Sequence, residues 1–108
     1  GAKAGIDLEK TFEAVSGGAA NSWQLENLGS RILKRDFDPG FAVKLMLKDQ
    51  RLINQTAEEF ELPLPVSAVV RQFFYLLGQK NLDEEGTQAY VKGLESLGNV
   101  TVEGKSAK

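Results

Sequence analysis

Turn-forming residues interrupt the chain at short intervals, and this spacing limits each folded segment to about the length of one helix. The breaks are Ser-Gly-Gly at 16–18, Asp-Pro-Gly at 38–40 and the two prolines Pro63 and Pro65. Prolines two residues apart end a helix, and glycine beside proline favours a turn. Between the breaks apolar residues recur with helical spacing, whereas only residues 99–104 alternate as a strand would. The pattern predicts an all-α domain of about five helices.

Local signals place the helices along the chain. Asp7 and Ser22 stand where N-caps are expected, because their side-chain oxygens can accept a hydrogen bond from a backbone N–H in the first turn. The helical segments are predicted at 8–16, 23–35, about 41–60, 66–80 and 87–98. The fourth segment has a wide apolar arc, which predicts a helix buried on most sides. We therefore predict a helical domain over residues 1–98 and a flexible tail over 99–108.

Composition excludes several classes of function. The 108 residues carry a net charge of −2 with acids and bases interspersed, so neither nucleic acid nor a membrane is expected as partner. Histidine and cysteine do not occur, which removes the usual zinc ligands and any Ser-His or Cys-His nucleophile pair, and no metal site is predicted. No apolar run approaches the ~18 residues of a membrane span, and no secretory leader is recognisable. A cytoplasmic protein is predicted.

A charged pair, Lys48 and Asp49, lies in the apolar segment predicted over about 41–60. At about 100° per residue, Asp49 falls near the centre of the apolar stripe and Lys48 at its edge. A carboxylate there needs a partner, and Lys48 is not expected to supply it because adjacent residues point about 100° apart. The partner is either another helix or a ligand, so the pair indicates a structural contact or a binding site. The stripe consists of Ala42, Leu45, Met46, Leu52, Ile53 and Phe60.

The face opposite this stripe is predicted to be solvated. It carries Gln50, which is expected to point to solvent, and Leu47, whose exposed side chain could contact a second domain or subunit.

Four blocks follow one another in the sequence: GIDLEKTFEAVSGGAANSW, DFDPGFAVKLMLKDQRL, ELPLPVSAVVRQFF and DEEGTQAYVKGLE. In this order they resemble the C-terminal helical domain of the β-hydroxyacid dehydrogenases. That family includes 3-hydroxyisobutyrate dehydrogenase and tartronate semialdehyde reductase, and it is related to 6-phosphogluconate dehydrogenase. The most specific piece is Pro-Gly-Phe followed seven residues later by Lys-Asp. The resemblance runs from Gly5 to about Leu97 and implies a bundle like the C-terminal domain of 6-phosphogluconate dehydrogenase.

The resemblance also implies a function. It implies an enzyme whose N-terminal Rossmann domain binds NAD or NADP, with the active site in the cleft between that domain and the helical one. Hydride transfer would oxidise a small 3-hydroxy acid or reduce its semialdehyde. A cofactor-binding role is implied for Lys48, and substrate-pocket roles for Trp23, Phe41 and Asp49. Expected partners are the Rossmann domain of the same protein, the hydroxy acid and further copies in a homo-oligomer.

The family's catalytic lysine belongs to a G-x-x-G-x-G-x-x-x-K-x-x-N segment, which the resemblance places upstream of this chain. No catalytic residue is therefore expected within it, and the chain alone is not expected to be catalytically competent. The alternative is a stand-alone helical interaction module that dimerises through the apolar arc of residues 66–77 and Leu47. A groove beside Lys48 and Asp49 favours the dehydrogenase, and an Asp49 sealed in the core favours the module.

Overall fold

A computed structural model describes residues 1–105 of the chain. In this range the chain forms five α-helices and no β-strand: α1 (Leu8–Ser16), α2 (Ser30–Leu33), α3 (Val43–Glu59), α4 (Pro65–Gln79) and α5 (Tyr90–Gly98). Short 3-10 helices cover Ala2–Ala4 and Thr87–Ala89, and a π-helical turn, Leu25–Gly29, leads into α2. The predicted all-α class and number of helices are confirmed.

The first helical segments begin where the sequence provides caps. The Asp7 carboxylate accepts a hydrogen bond from the Lys10 backbone N–H at 3.2 Å, and the Ser22 hydroxyl accepts one from the Leu25 N–H at 3.0 Å. Both predicted caps are therefore confirmed. The helix α4 begins instead with Pro65 in its first turn, where the missing N–H removes no helical hydrogen bond.

The chain divides into two compact units. The first contains Gly1–Phe37 and the described residues from Leu94 onward, and the second contains Asp38–Gly93. Each unit thus holds its own set of helices: α1 and α2 with most of α5 in the first, and α3 and α4 in the second.

The second unit has a small apolar core between α3 and α4. Val43 and Leu77 have no exposed surface, and Phe74 is almost fully buried between them. Burying a side chain of this kind contributes roughly 1.5–3 kcal/mol, so three residues give the unit much of its stability. The partly buried side chains packed around them are Met46, Leu47, Val70, Leu82 and Tyr90.

The packed face of α3 differs from the predicted stripe. Leu47, predicted on the solvated face, packs against the core of its own unit, so the prediction for it was wrong. Apolar residues occupy two sides of α3, and helical spacing alone does not tell which side packs against α4. Four of the six stripe residues are exposed, by 39 to 77%: Leu45, Leu52, Ile53 and Phe60.

The prediction for Gln50 was also wrong. Gln50 is half-buried, its Oε1 atom is buried without a hydrogen-bond partner, and its carbonyl oxygen accepts from Asn54 Nδ2 at 2.7 Å. Because the packed side of α3 includes Val43 and Leu47, a residue one turn further along it, Gln50, faces the same way.

The helix α4 is buried on one face only, contrary to the expectation from its wide apolar arc. Phe74 and Leu77 face the core, whereas Val66 and Val69 are 74% and 60% exposed. Within its unit, α4 packs mainly against α3, which can cover one side of a helix.

The first unit packs α1 against the segment leading into α2. A side-chain carbon at Gly29 would lie 2.9 Å from the Phe12 ring, so the ring and the helix approach closely only because residue 29 is glycine. Leu33 is the last residue of α2, and its carbonyl oxygen accepts from the Gly104 N–H at 2.8 Å. Residues 99–105, part of the predicted flexible tail, are thus joined to this unit, and residues 106–108 lie outside the described residues.

An ion pair adds to this attachment. Arg35 Nη1 donates to Glu95 Oε2 at 2.6 Å and to the Val102 carbonyl at 3.2 Å, while the Val102 N–H donates to the same carboxylate. The Glu95 side chain is only 10% exposed, so the pair is weakly screened by water.

Across residues 1–105, no helix combines the length and the apolarity needed to cross a membrane.

Candidate functional site

The second unit fixes the start of α3 with backbone groups from another part of the chain. The helix has no side-chain cap; instead its Val43 and Lys44 N–H groups donate to the carbonyls of Glu85 and Asp83 at 2.8 and 2.9 Å. These N–H groups would otherwise lack partners, because the first turn of a helix has none within the helix. The segment before α5 therefore sets the position of α3 and of the side chains in its first turns.

Lys48 and Asp49 lie on α3 and pair with each other. Lys48 Nζ lies 3.4 Å from Asp49 Oδ1, with the two side chains 52% and 44% exposed. Lys48 was not expected to be the partner of Asp49, and this expectation was wrong, because the long lysine side chain can bend back over the 100° between neighbouring residues. Asp49 is also not enclosed by the core, so its carboxylate remains accessible to a ligand.

A second lysine lies one turn earlier on α3. Lys44 Nζ donates to both carboxylate oxygens of Glu84 at 2.8 Å, and this hydrogen bonding together with the charge of Glu84 raises the pKa of Lys44. The Lys48–Asp49 pair is longer, so the Lys48 ammonium is held less tightly than that of Lys44. Sequence reasoning missed Lys44 because its partner is 40 residues away.

Phe41 lies in the turn of residues 38–42, directly before α3, and its side chain is 41% exposed. Its carbonyl oxygen accepts from the Thr87 N–H at 3.0 Å, and an antiparallel bridge joins Ala42 to Gly86. At the other end of the turn, Gln88 Nε2 donates to the Asp38 carbonyl at 3.1 Å. The turn that carries Phe41 is thus held from both ends.

Sequence reasoning missed Gln88. It falls within the helix predicted over 87–98, whereas in the structure it belongs to a 3-10 turn and is only 4% exposed. A possible signal was Gly86 two residues earlier, since glycine next to a buried amide leaves room for that amide.

Trp23 lies in the first unit, whereas Phe41, Lys48 and Asp49 lie in the second. Its side chain is 70% exposed, and its carbonyl oxygen accepts from Asn27 Nδ2 at 2.9 Å. The indole ring is therefore accessible to a ligand, while its backbone is part of the helical segment that leads into α2.

The second unit also has an apolar groove of about 480 Å³. It lies where α3 ends and the chain turns towards α4, and none of the four predicted site residues lines it. The groove is lined by Leu52, Ile53, Thr56, Ala57, Phe60, Leu62 and Leu64.

The donor set on α3 fits part of a dinucleotide cofactor. An ammonium group has three N–H donors, and the accessible Lys48 ammonium can offer them to phosphate, ribose or carboxamide oxygens. Asp49 at 3.4 Å can restrain that ammonium and accept from a ligand hydroxyl. These residues provide one contact surface for a cofactor and not a complete pocket.

Comparison with known proteins identifies the family. Residues 1–94 match the family described as the NAD-binding domain of NADP-dependent 3-hydroxyisobutyrate dehydrogenase, so the chain belongs to that family. At the level of the family, the expected NAD or NADP cofactor is confirmed. The sequence-based resemblance to 3-hydroxyisobutyrate dehydrogenase is confirmed as well.

Individual relatives agree with this family. The chain is 43% identical over 101 residues to probable 3-hydroxyisobutyrate dehydrogenase-like 1, mitochondrial, of Arabidopsis thaliana. The matched region covers 94% of this chain and 30% of that protein. The chain is 36% identical over 97 residues to 2-hydroxy-3-oxopropionate reductase of Escherichia coli, covering 90% and 33%. The chain thus spans about a third of the length of these relatives, which are named as a dehydrogenase-like protein and a reductase.

A solved structure has the same fold. The crystal structure of 3-hydroxyisobutyrate dehydrogenase from Salmonella typhimurium superposes with a TM-score of 0.79 at 31% sequence identity. The match covers 84% of this chain and 32% of that one.

Proposed function

We propose that this chain is the helical C-terminal domain of an NAD(P)-dependent β-hydroxyacid dehydrogenase. In this proposal it forms one wall of the cleft in which hydride passes between the cofactor and a small 3-hydroxy acid or its semialdehyde. The family supports the reaction class. The accessible Lys48–Asp49 pair is the observation that carries the cleft role, because two charges on a packed helix remain open to a ligand.

Each site residue has a separate role in this proposal. Lys48 binds the cofactor through its ammonium, and Asp49 restrains that ammonium and joins the polar network of the substrate pocket. Phe41 offers an accessible aromatic face to the substrate and excludes water from it, and a substrate-pocket role is proposed separately for the accessible Trp23. The nicotinamide ring, when bound, supplies the hydride chemistry, and the residues of this chain bind and orient the reactants.

The partners in this proposal are an N-terminal Rossmann domain of the same protein and further copies of it. The catalytic lysine and most cofactor contacts belong to that upstream part, so the chain alone is not catalytically competent. Exposed large side chains, among them Phe60 directly after α3 and Val66 on α4, support a role in contact with other surfaces. The cytoplasmic location stays a prediction.

The apolar groove favours a second candidate, a helical interaction module without catalysis. A groove of about 480 Å³ lined by leucine, isoleucine and phenylalanine suits an apolar partner side chain. This candidate gives Lys48 and Asp49 no ligand, so substitutions there separate the two proposals.

Calorimetric titration of this chain with NADH and with NADPH tests whether most of the cofactor contacts belong to the Rossmann domain. Because one cation supplies only part of a cofactor site, we expect a Kd weaker than about 1 mM for both. Binding in the micromolar range would show that the chain holds a complete cofactor site by itself and would contradict the proposal.

A chimera tests the role of Lys48 directly. This chain replaces its 97-residue match in 2-hydroxy-3-oxopropionate reductase of Escherichia coli, and oxidation of the reduced cofactor is followed by absorbance. Lys48→Met should raise the KM for the cofactor roughly tenfold, because a charge-assisted contact contributes about 1.5 kcal/mol. Lys44→Met is the matched control, with a similarly exposed side chain one turn away, and should leave the KM nearly unchanged. Equal effects of both variants, or no effect of Lys48→Met, would reject the assignment.

A further inference from the structure

Within residues 1–105, Gln88 is the one buried polar residue, with 4% of its surface exposed. Burying an amide is unfavourable unless it is hydrogen-bonded, and Gln88 Nε2 donates to the Asp38 carbonyl oxygen at 3.1 Å. Asp38 begins the turn that carries Phe41, the aromatic residue proposed for the substrate pocket. The buried amide therefore joins the segment before α5 to the start of that turn.

The surroundings of Gln88 are shaped around this amide. A side-chain carbon at Gly86 would lie 2.8 Å from both Gln88 Cδ and Nε2, a distance that real side-chain carbons do not show. Gly86 has φ −66° and ψ 160°, a conformation open to any residue, so the position needs glycine for space and not for its backbone. The space beside Gly86 thus holds the Gln88 amide.

The other end of the turn is held by the same segment. Thr87, next to Gln88, donates its backbone N–H to the Phe41 carbonyl at 3.0 Å, and Gly86 pairs with Ala42. Gln88 and Thr87 are adjacent in one 3-10 turn, so neighbouring residues hold the two ends of the 38–42 turn.

We infer that Gln88 is a positioning residue for ligand binding: its buried amide holds the 38–42 turn so that Phe41 faces the substrate. The inference rests on the proposed function for Phe41's role, and on the geometry alone for the position of the turn. Gln88 touches neither cofactor nor substrate and acts through Phe41.

Amide hydrogen exchange and NMR spectra of this 108-residue chain test the position of the turn. Gln88→Met keeps the length of the side chain and removes the donor. We expect the Thr87 amide to exchange roughly tenfold faster and the Phe41 resonances to shift, because a buried hydrogen bond contributes about 1–1.5 kcal/mol. The core amide of Leu77 exchanges through global unfolding, so any faster exchange there measures the loss of global stability, and the Phe41 shift is the local readout.

Gln72→Met is the matched control, the same substitution on the exposed surface of α4, and should leave Thr87 and Phe41 as in the wild type. If Gln88→Met unfolds the chain, Gly86→Ala displaces the same amide with a smaller change and should give the same local effect. Wild-type exchange at Thr87 in a folded variant would overturn the inference, and so would Phe41 resonances that match those of the wild type.

Kinetics of the chimera test the link to the substrate. Gln88→Met should raise the KM for the carbonyl substrate several-fold and leave the KM for the cofactor unchanged, because Phe41 and not Lys48 is displaced. If the Phe41 resonances shift while the KM for the substrate stays constant, Phe41 does not line the substrate pocket. The cofactor titration of the unmodified chain is independent of both results.

Discussion

Gly86→Ala should destabilise the chain although alanine suits the backbone at this position. The new Cβ would lie 2.8 Å from Gln88 Cδ and Nε2, so the amide must move. Because Gln88 is buried, its amide cannot swing freely into solvent, and the displacement breaks its hydrogen bond to the Asp38 carbonyl. An unsatisfied buried polar group is unfavourable by about 1–3 kcal/mol, and we expect the free energy of unfolding to fall by that amount.

Gly78→Ala is the matched control for this prediction. Gly78 lies in the last turn of α4, and a Cβ there would meet only Leu47 Cδ1 at 3.9 Å, an ordinary contact. Replacing a helical glycine with alanine should raise the free energy of unfolding by about 0.5–1 kcal/mol. The two glycine substitutions therefore have opposite expected signs.

Urea denaturation followed by circular dichroism measures both variants. A double variant adds a test of cause: in Gly86→Ala with Gln88→Ala the colliding amide is absent, so the combined loss should be smaller than the sum of the single losses. A neutral or stabilising Gly86→Ala would show that the amide does not occupy this space, and additive losses would show that the two residues do not meet.

Four further substitutions test other parts of the molecule. Leu77→Ala removes a side chain with no exposed surface and should lower the free energy of unfolding by about 3–5 kcal/mol. Leu97→Ala, at a position 69% exposed, is the control and should change it by less than about 0.5 kcal/mol. Urea denaturation measures both variants. Glu95→Gln should lower the free energy of unfolding by about 1.5–3 kcal/mol through loss of the charged hydrogen bond from Arg35, and an unchanged value would count against the ion pair as a stabilising contact. The hydrogen bond from the Lys10 N–H and the contact with Lys105 lower the pKa of Asp7, so its stabilisation is present above the unfolded value of 3.8 and lost as pH falls through the folded pKa. Asp7→Asn keeps a cap that does not titrate, and its stability relative to wild type should rise as the pH is lowered below about 4.

Local features of the fold could be predicted from the sequence. Asp7 and Ser22 cap their helices as expected, because a cap depends on residues three positions apart. The breaks at Asp38–Gly40 and at the two prolines likewise separate the observed helices. Such signals act within one turn of chain and need no knowledge of the rest of the fold.

Features that depend on distant contacts could not be predicted. Gln88 is buried because the turn at residue 38, 50 positions away, supplies its partner. Leu47 faces the core because α4 packs on that side of α3, and periodicity shows only that apolar residues line two sides. The roles of Lys48, Phe41 and Trp23 were predicted from the resemblance to a known family, because helical spacing alone does not identify ligand-binding residues.

The accessibility of Lys48 and Asp49 follows from the packing of Val43. Val43 is fully buried, and its N–H is held by the Glu85 carbonyl, so its direction is fixed. At about 100° per residue, Lys48 lies about 140° from Val43 on one side of the helix and Asp49 about 120° on the other. Any arrangement that buries Val43 therefore turns both charges away from the core. The segment that caps α3 thus determines, through one buried residue, which face of the helix remains open to a ligand.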